Sequence, residues 1–149
     1  MGLYTGSLKN IFIPDNIDGT SINQIYQDVF KNAGLLTVSF ADESEITRIH
    51  ARAFYNNELT QIDFPDTLTQ IDLWAFKDNN LTQINLPESL VSIQQKAFEG
   101  NELTKITIGS NVSTIQSLAL GANTEQFKEA YLEEGAGTYL WDGENWVKQ

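Results

Sequence analysis

Residues 59–102 are one pattern written twice, LTQIDFPDTLTQIDLWAFKDNN followed by LTQINLPESLVSIQQKAFEGNE. On the same 22-residue ruler the neighbouring stretches fall into line. Ile49, Ile71, Ile93 and Ile115 recur, as do Ala53, Ala75, Ala97 and Ala119, then Phe54, Phe76, Phe98 and Leu120, and Ile46, Leu68, Leu90 and Val112. Asn57, Asn79, Asn101 and Asn123 keep the same interval. A period between about 20 and 50 residues marks a solenoid, in which a unit buries its apolar face only by stacking on the next. The expected core is a column of ladders.

Each unit reads L-x-x-I-x-[FL]-P-x-x-L-x-x-I-x-x-x-A-F-x-x-N-x. Ile62 and Phe64, like Ile84 and Leu86, lie two apart, so a short strand sends both inward while Gln61, Asp63, Gln83 and Asn85 point out. Pro65 and Pro87 have no N–H for a ladder and end the strand, opening a turn with Asp66-Thr67 or Glu88-Ser89. A second short extended segment follows at Ile71 and Ile93. Ala75 and Ala97 are small where the coil closes, and Phe76 and Phe98 fill the space beside them. The four asparagines precede the next leucine, where a side-chain amide can bond turn backbone that the sheet leaves unpaired. The rival reading is a polar binding row, but the coil geometry already accounts for them.

These tandem L-x-x-I-x-[FL]-P and A-F-x-x-N signatures, over residues 35–123, resemble the BspA-type leucine-rich repeats, a family found largely on bacterial cell surfaces. The resemblance implies a β-rich solenoid, a right-handed leucine-rich repeat coil of four to five units, with a role in binding or adhesion. It names no ligand. The chain reads as one domain, 1–149, with an irregular N-terminal capping repeat at 1–34, repeats over 35–123 and a C-terminal cap at 124–149.

The first unit copies the spacing, Leu8, Ile11, Ile13 and Pro14 matching Leu59, Ile62, Phe64 and Pro65. After it the chain gains residues around the Asp18-Gly19 turn signal. Ile22, Ile25, Val29 and Phe30 match the repeat at an interval of 24, yet with Tyr26 they also carry a helical spacing, with Ser21 and Gly34 as caps. The repeat reading is preferred: a strand at 22–25 and a helical turn near 26–32. The second unit carries two extra residues around Ala41-Asp42-Glu43-Ser44. Its carboxylates Asp42, Glu43 and Glu45 lack the order and terminal Glu of a calcium loop, so no metal is expected. His50, the sole histidine, matches Asp72, Gln94 and Gln116, all expected to face solvent. From Thr124 the period stops. Phe127, Ala130 and Tyr131 predict a short helix with Asn123 or Thr124 at its start and Gly135 past its end, and Tyr139, Trp141, Trp146 and Val147 flank an Asp142-Gly143 turn in a β-hairpin. Helix and hairpin together cap the column; a sugar or choline site on the Trp-rich hairpin is the rival reading.

Composition narrows the function. There are no cysteines, so disulfides, thiolate catalysis and thiolate metal sites are excluded. A net charge of -11, from 9 basic and 20 acidic residues, opposes nucleic acid as a partner and reads as solubility or as attraction to a basic protein. No stretch is long and apolar enough to span a membrane, and Met1-Gly2-Leu3-Tyr4 does not read as a secretory signal, which suits either a cytosolic or a trimmed chain. No catalytic set, phosphate loop or cofactor is expected, and the protein is not expected to be an enzyme.

What the period does not demand is the candidate site. Gln61, Asp63, Gln83, Asn85, Lys105 and Thr107 form a polar strand face continued by Asn10, Phe12, Thr37 and Ser39. Trp74, in Leu73-Trp74, stands where the sibling coils carry Arg52, Lys96 and Leu118, and is expected as an exposed second contact or, failing that, as packing on a neighbouring coil. The expected partner is a protein, met by a monomer at the cell surface or after secretion. The alternative is a free-standing cytoplasmic binder or inhibitor that uses its acidic surface against a basic protein.

Overall fold

The computed structural model describes residues 9–149; Leu8 and the Met1 to Tyr4 segment lie outside them. Two columns of parallel strands run along the molecule. The second extended segment of every unit forms one of them: β4 (Gln24–Ile25), β6 (Arg48–Ile49), β7 (Gln70–Ile71), β9 (Ser92–Ile93) and β11 (Thr114–Ile115) pair in parallel, in that spatial order. Ile25, Ile49, Ile71 and Ile93 stand in register and are buried.

The first strand of each unit forms the other column, in two pieces. β1 (Asn10–Ile13) pairs with β5 (Thr37–Phe40), and β8 (Gln83–Asn85) pairs with β10 (Lys105–Ile108). Between them the third unit, around Ile62 and Phe64, holds only a single bridge, Asp63 to Asn85, instead of the expected strand. The break coincides with the two extra residues of the second coil. β5 and Gln61 are 24 residues apart on this side, while β6 and β7 are 22 apart on the other. With the β6 and β7 side still paired, the mismatch surfaces on the strand face.

Inside, Phe30, Phe54, Phe76 and Phe98 stack face to face at centroid distances of 5.2, 5.1 and 5.3 Å, and Phe64 closes edge-on against Phe76 at 5.5 Å. Such pairs add about 0.5–1.5 kcal/mol each to plain burial. Leu59, Leu68, Leu81 and Leu90 are fully enclosed around the stack. The residue before each Ala-Phe, and before Val29-Phe30 and Ala119-Leu120 at the matching positions, has a left-handed backbone whatever its identity, with φ of 60° at Asp28, 57° at Arg52, 59° at Trp74, 57° at Lys96 and 56° at Leu118. Such angles are uncommon outside glycine, and nothing in those side chains announces them. Stacking on a neighbour of identical shape imposes them coil after coil.

The asparagine ladder forms in three coils. The buried Asn57 and Asn79, and Asn101 above them, each donate to the carbonyl of the phenylalanine three residues back. Each also donates to a phenylalanine carbonyl of the preceding unit, and each accepts the N–H of the leucine that opens its own unit, one turn back. Asn123 does not join. It becomes the N-cap residue of α1 (Thr124–Glu134), without a side-chain cap bond, and Thr124 Oγ1 accepts the Leu120 N–H at 2.9 Å, where in earlier coils the matching phenylalanine N–H bonds the next coil's alanine carbonyl.

Over 22–34 the repeat reading holds. β4 pairs in the repeat column, turns follow, and no helix forms there, because pairing β4 with β6 satisfies the backbone. Asp18 and Gly19, at φ 51° and 78°, turn the hairpin of β2 (Asn16–Ile17) and β3 (Thr20–Ser21). At the other end β12 (Gly137–Trp141) adds antiparallel to β10, and β13 (Trp146–Lys148) adds to β12, so the hairpin prolongs the sheet. Phe127 of α1 meets Tyr139 and Trp146 edge-on at 5.2 and 5.4 Å, closing the last coil. Gly109 replaces the turn proline because a Cβ there would lie 2.9 Å from the Glu88 Cα.

Candidate functional site

Gln61, Asp63, Gln83, Asn85, Lys105 and Thr107 line one shallow depression of about 360 Å³, floored by the buried Ile62 and Ile84. The register explains the grouping. Lys105 lies beside Gln83, Thr107 beside Asn85, and Asn85 beside Asp63, so the six side chains form two parallel rows stepping roughly 4.8 Å per coil. Alternation aims them outward because their neighbours Ile62, Ile84 and Ile106 face the core.

Chemically the depression offers amides, one hydroxyl, one carboxylate and one ammonium. Lys105 and Asp63 are exposed, and among the described residues neither is in an ion pair. Thr107 shares a 3.0 Å hydrogen bond with the Thr138 hydroxyl, which ties the border of the depression to the cap hairpin. No nucleophile here faces a base. The arrangement offers hydrogen-bond donors and acceptors to a bound surface.

Trp74 lies outside this depression, and its expected exposure is corrected. It is partly buried and its indole N–H is covered without a partner; the exposed member of the pair is Leu73. The expectation that the residues matching His50 all face solvent also fails. Asp72 is buried, because Arg48 donates to its Oδ2 at 3.0 Å and Gln70 Nε2 donates to its Oδ1 at 2.7 Å. His50 is partly buried against Gln24, 2.6 Å from its Nε2, and stacks on Tyr26. Burial and the nearby Arg48 charge push its pKa below the ordinary value, with Asp72 pulling the other way.

This flank is a run of cross-coil charge pairs that sequence reading missed. Arg52 donates from Nε and Nη2 to the two oxygens of Asp28 at 2.8 Å each and holds that carboxyl below its usual pKa. Lys77 reaches Glu99 at 2.6 Å with the same effect on the carboxylate, helped by Lys96. The available signal was the opposite charge of Asp28 and Arg52 at equivalent repeat positions, 24 residues apart.

The family model of the BspA type leucine rich repeat region matches residues 3–127 in six copies. The chain belongs to this family. The BspA-type match ends in the first turn of α1, where the asparagine ladder also stops. Among solved structures, this BspA-type chain is similar to a leucine rich cell surface protein from Faecalibacterium prausnitzii, with 21% identity and a TM-score of 0.34. The match covers 70% of this chain and 40% of that one, so the chain spans less than half the length of that protein. No curated protein matches. No helix among the described residues is long and apolar enough to cross a membrane.

Proposed function

We propose that the protein is a non-enzymatic, protein-binding module of the kind displayed on bacterial surfaces, and that it docks an extended segment of a partner along the strand face. The observation that carries this reading is the convergence of six outward polar side chains from three successive coils on one depression. None of them is needed to build the coil. Two rows of hydrogen-bonding groups at the spacing of adjacent strands match the repeat of an extended peptide, and many weak polar contacts spread over several coils suit recognition of a surface. Membership of the BspA-type family supports a role in adhesion. The test is capture of a partner by the intact protein and by the Gln61→Ala, Gln83→Ala double variant. At least about ten-fold weaker binding by the variant, with unchanged melting, supports the strand face; equal affinity removes it.

A second reading is favoured by one arrangement. Asp42, Glu43, Glu45 and Asp66 are exposed in the turns after the first strands, and among the described residues none is in an ion pair. A basic partner would bind there, and its affinity would fall steeply with salt. Binding by the double variant that disappears at high ionic strength would select this reading.

A further inference from the structure

We propose that the cleft between the last coil and the C-terminal cap binds one neutral sugar residue of a glycan. The cleft holds about 250 Å³ and shares no lining residue with the strand-face depression. That is slightly under the usual range for drug-sized ligands, about 300–1,000 Å³, and suits a single ring.

Its chemistry begins where the ladder ends. The N–H groups of Leu59 and Leu81 are accepted by Asn79 and Asn101, one turn further along, at 3.1 and 3.0 Å. Asn123 occupies the next rung by sequence but turns into the start of α1, so the buried Leu103 N–H has no counterpart of that bond and the Asn123 side chain makes no cap bond. Both residues line the cleft. So does Trp146, which is only 5% exposed yet has a buried indole N–H without a partner. Trp141, partly exposed, lies 5.5 Å from it and completes an aromatic wall. The exposed Glu102, in no ion pair among the described residues, and Thr104 supply acceptors on the rim.

These groups select the ligand class. The Leu103 N–H without a partner calls for an acceptor oxygen, which a quaternary ammonium group does not have. A free carboxylate beside the ring wall accepts from hydroxyls and repels an anion. An aromatic face with donors and acceptors around it and no cation fits a neutral polyol ring, with one apolar face on Trp141 and hydroxyls to Glu102, Asn123 and the Leu103 N–H.

The test uses the full chain and follows the three indole N–H signals by NMR while methyl glycosides of glucose, galactose, mannose and N-acetylglucosamine are added through the millimolar range. The expected result is a saturable shift of the Trp146 signal with at least one glycoside while the Trp74 signal stays in place. Glu102→Gln and Asn123→Ala, both rim changes outside the core, should each weaken that binding about ten-fold or more, and Trp141→Ala should abolish it. No shift with any glycoside, a shift with choline or glucuronate alone, or unchanged affinity in both rim variants overturns the proposal.

Discussion

Asn79 joins two coils through a single side chain: its Oδ1 accepts the N–H of Leu59 at 3.1 Å, and its amide donates back to the Phe54 carbonyl at 2.9 Å. It is 5% exposed, so no water replaces these bonds easily. Asn79→Ala leaves the Leu59 N–H without a partner, at about 1–3 kcal/mol, while the Phe54 and Phe76 carbonyls lose one donor each and keep Asn57 and Asn101. The expected loss is roughly 1–3 kcal/mol. Urea unfolding measures it; a loss below the ~0.5 kcal/mol typical of surface changes would mean that the ladder is decorative.

Phe76 is fully buried between Phe54 and Phe98, with Phe64 edge-on. Phe76→Ala should cost about 3–5 kcal/mol, the range for a truncated core aromatic. Thermal melting followed by circular dichroism checks this. A variant that melts with the parent would contradict the stacked core.

Removing residues 127–149 takes away Phe127, Tyr139 and Trp146 together with β12, the strand that covers the edge of β10. An uncovered strand edge over an apolar coil is a template for pairing. The shortened protein should associate or precipitate while its remaining ladders persist, seen as a shift to large species on size exclusion. A stable, monodisperse product would show the tail to be a dispensable appendage.

Stability should fall toward acid. His50 has a lowered pKa in the folded protein, so the unfolded chain takes up its proton first, and stability drops as pH falls through the ordinary histidine value, about 6.5, toward the lower folded one. Asp28 and Glu99, lowered by Arg52 and Lys77, act in the same direction further down, as pH falls below about 4 and through their folded values. His50→Gln should flatten the melting profile between pH 7 and about 5.5 while leaving the steeper acid limb. A variant profile that overlays the parent across that window, or an NMR titration placing His50 above about 6.5, would contradict the assignment.

Spacing alone determined most of the architecture. Identical intervals put Ile71 on Ile93, Phe54 on Phe76 and Asn79 on Asn101, because a repeated pattern satisfies its apolar faces only by stacking in register. For the same reason the alternation in 61–63 and 83–85 was enough to name the side chains around the strand-face depression. What the tertiary structure alone decided lies where one coil acts on another. The left-handed backbone at Trp74 and its covered indole depend on the shape of adjacent coils, so an apolar side chain that looked exposed by position is partly buried. Asp72 is buried because Arg48, from the coil before it, folds onto it. Asn123 carries the repeat's residue yet leaves the ladder, since the helix begins there and claims its backbone. Periodicity records what each coil shares with its neighbours; charge pairing across coils and the ends of the column depend on how they differ.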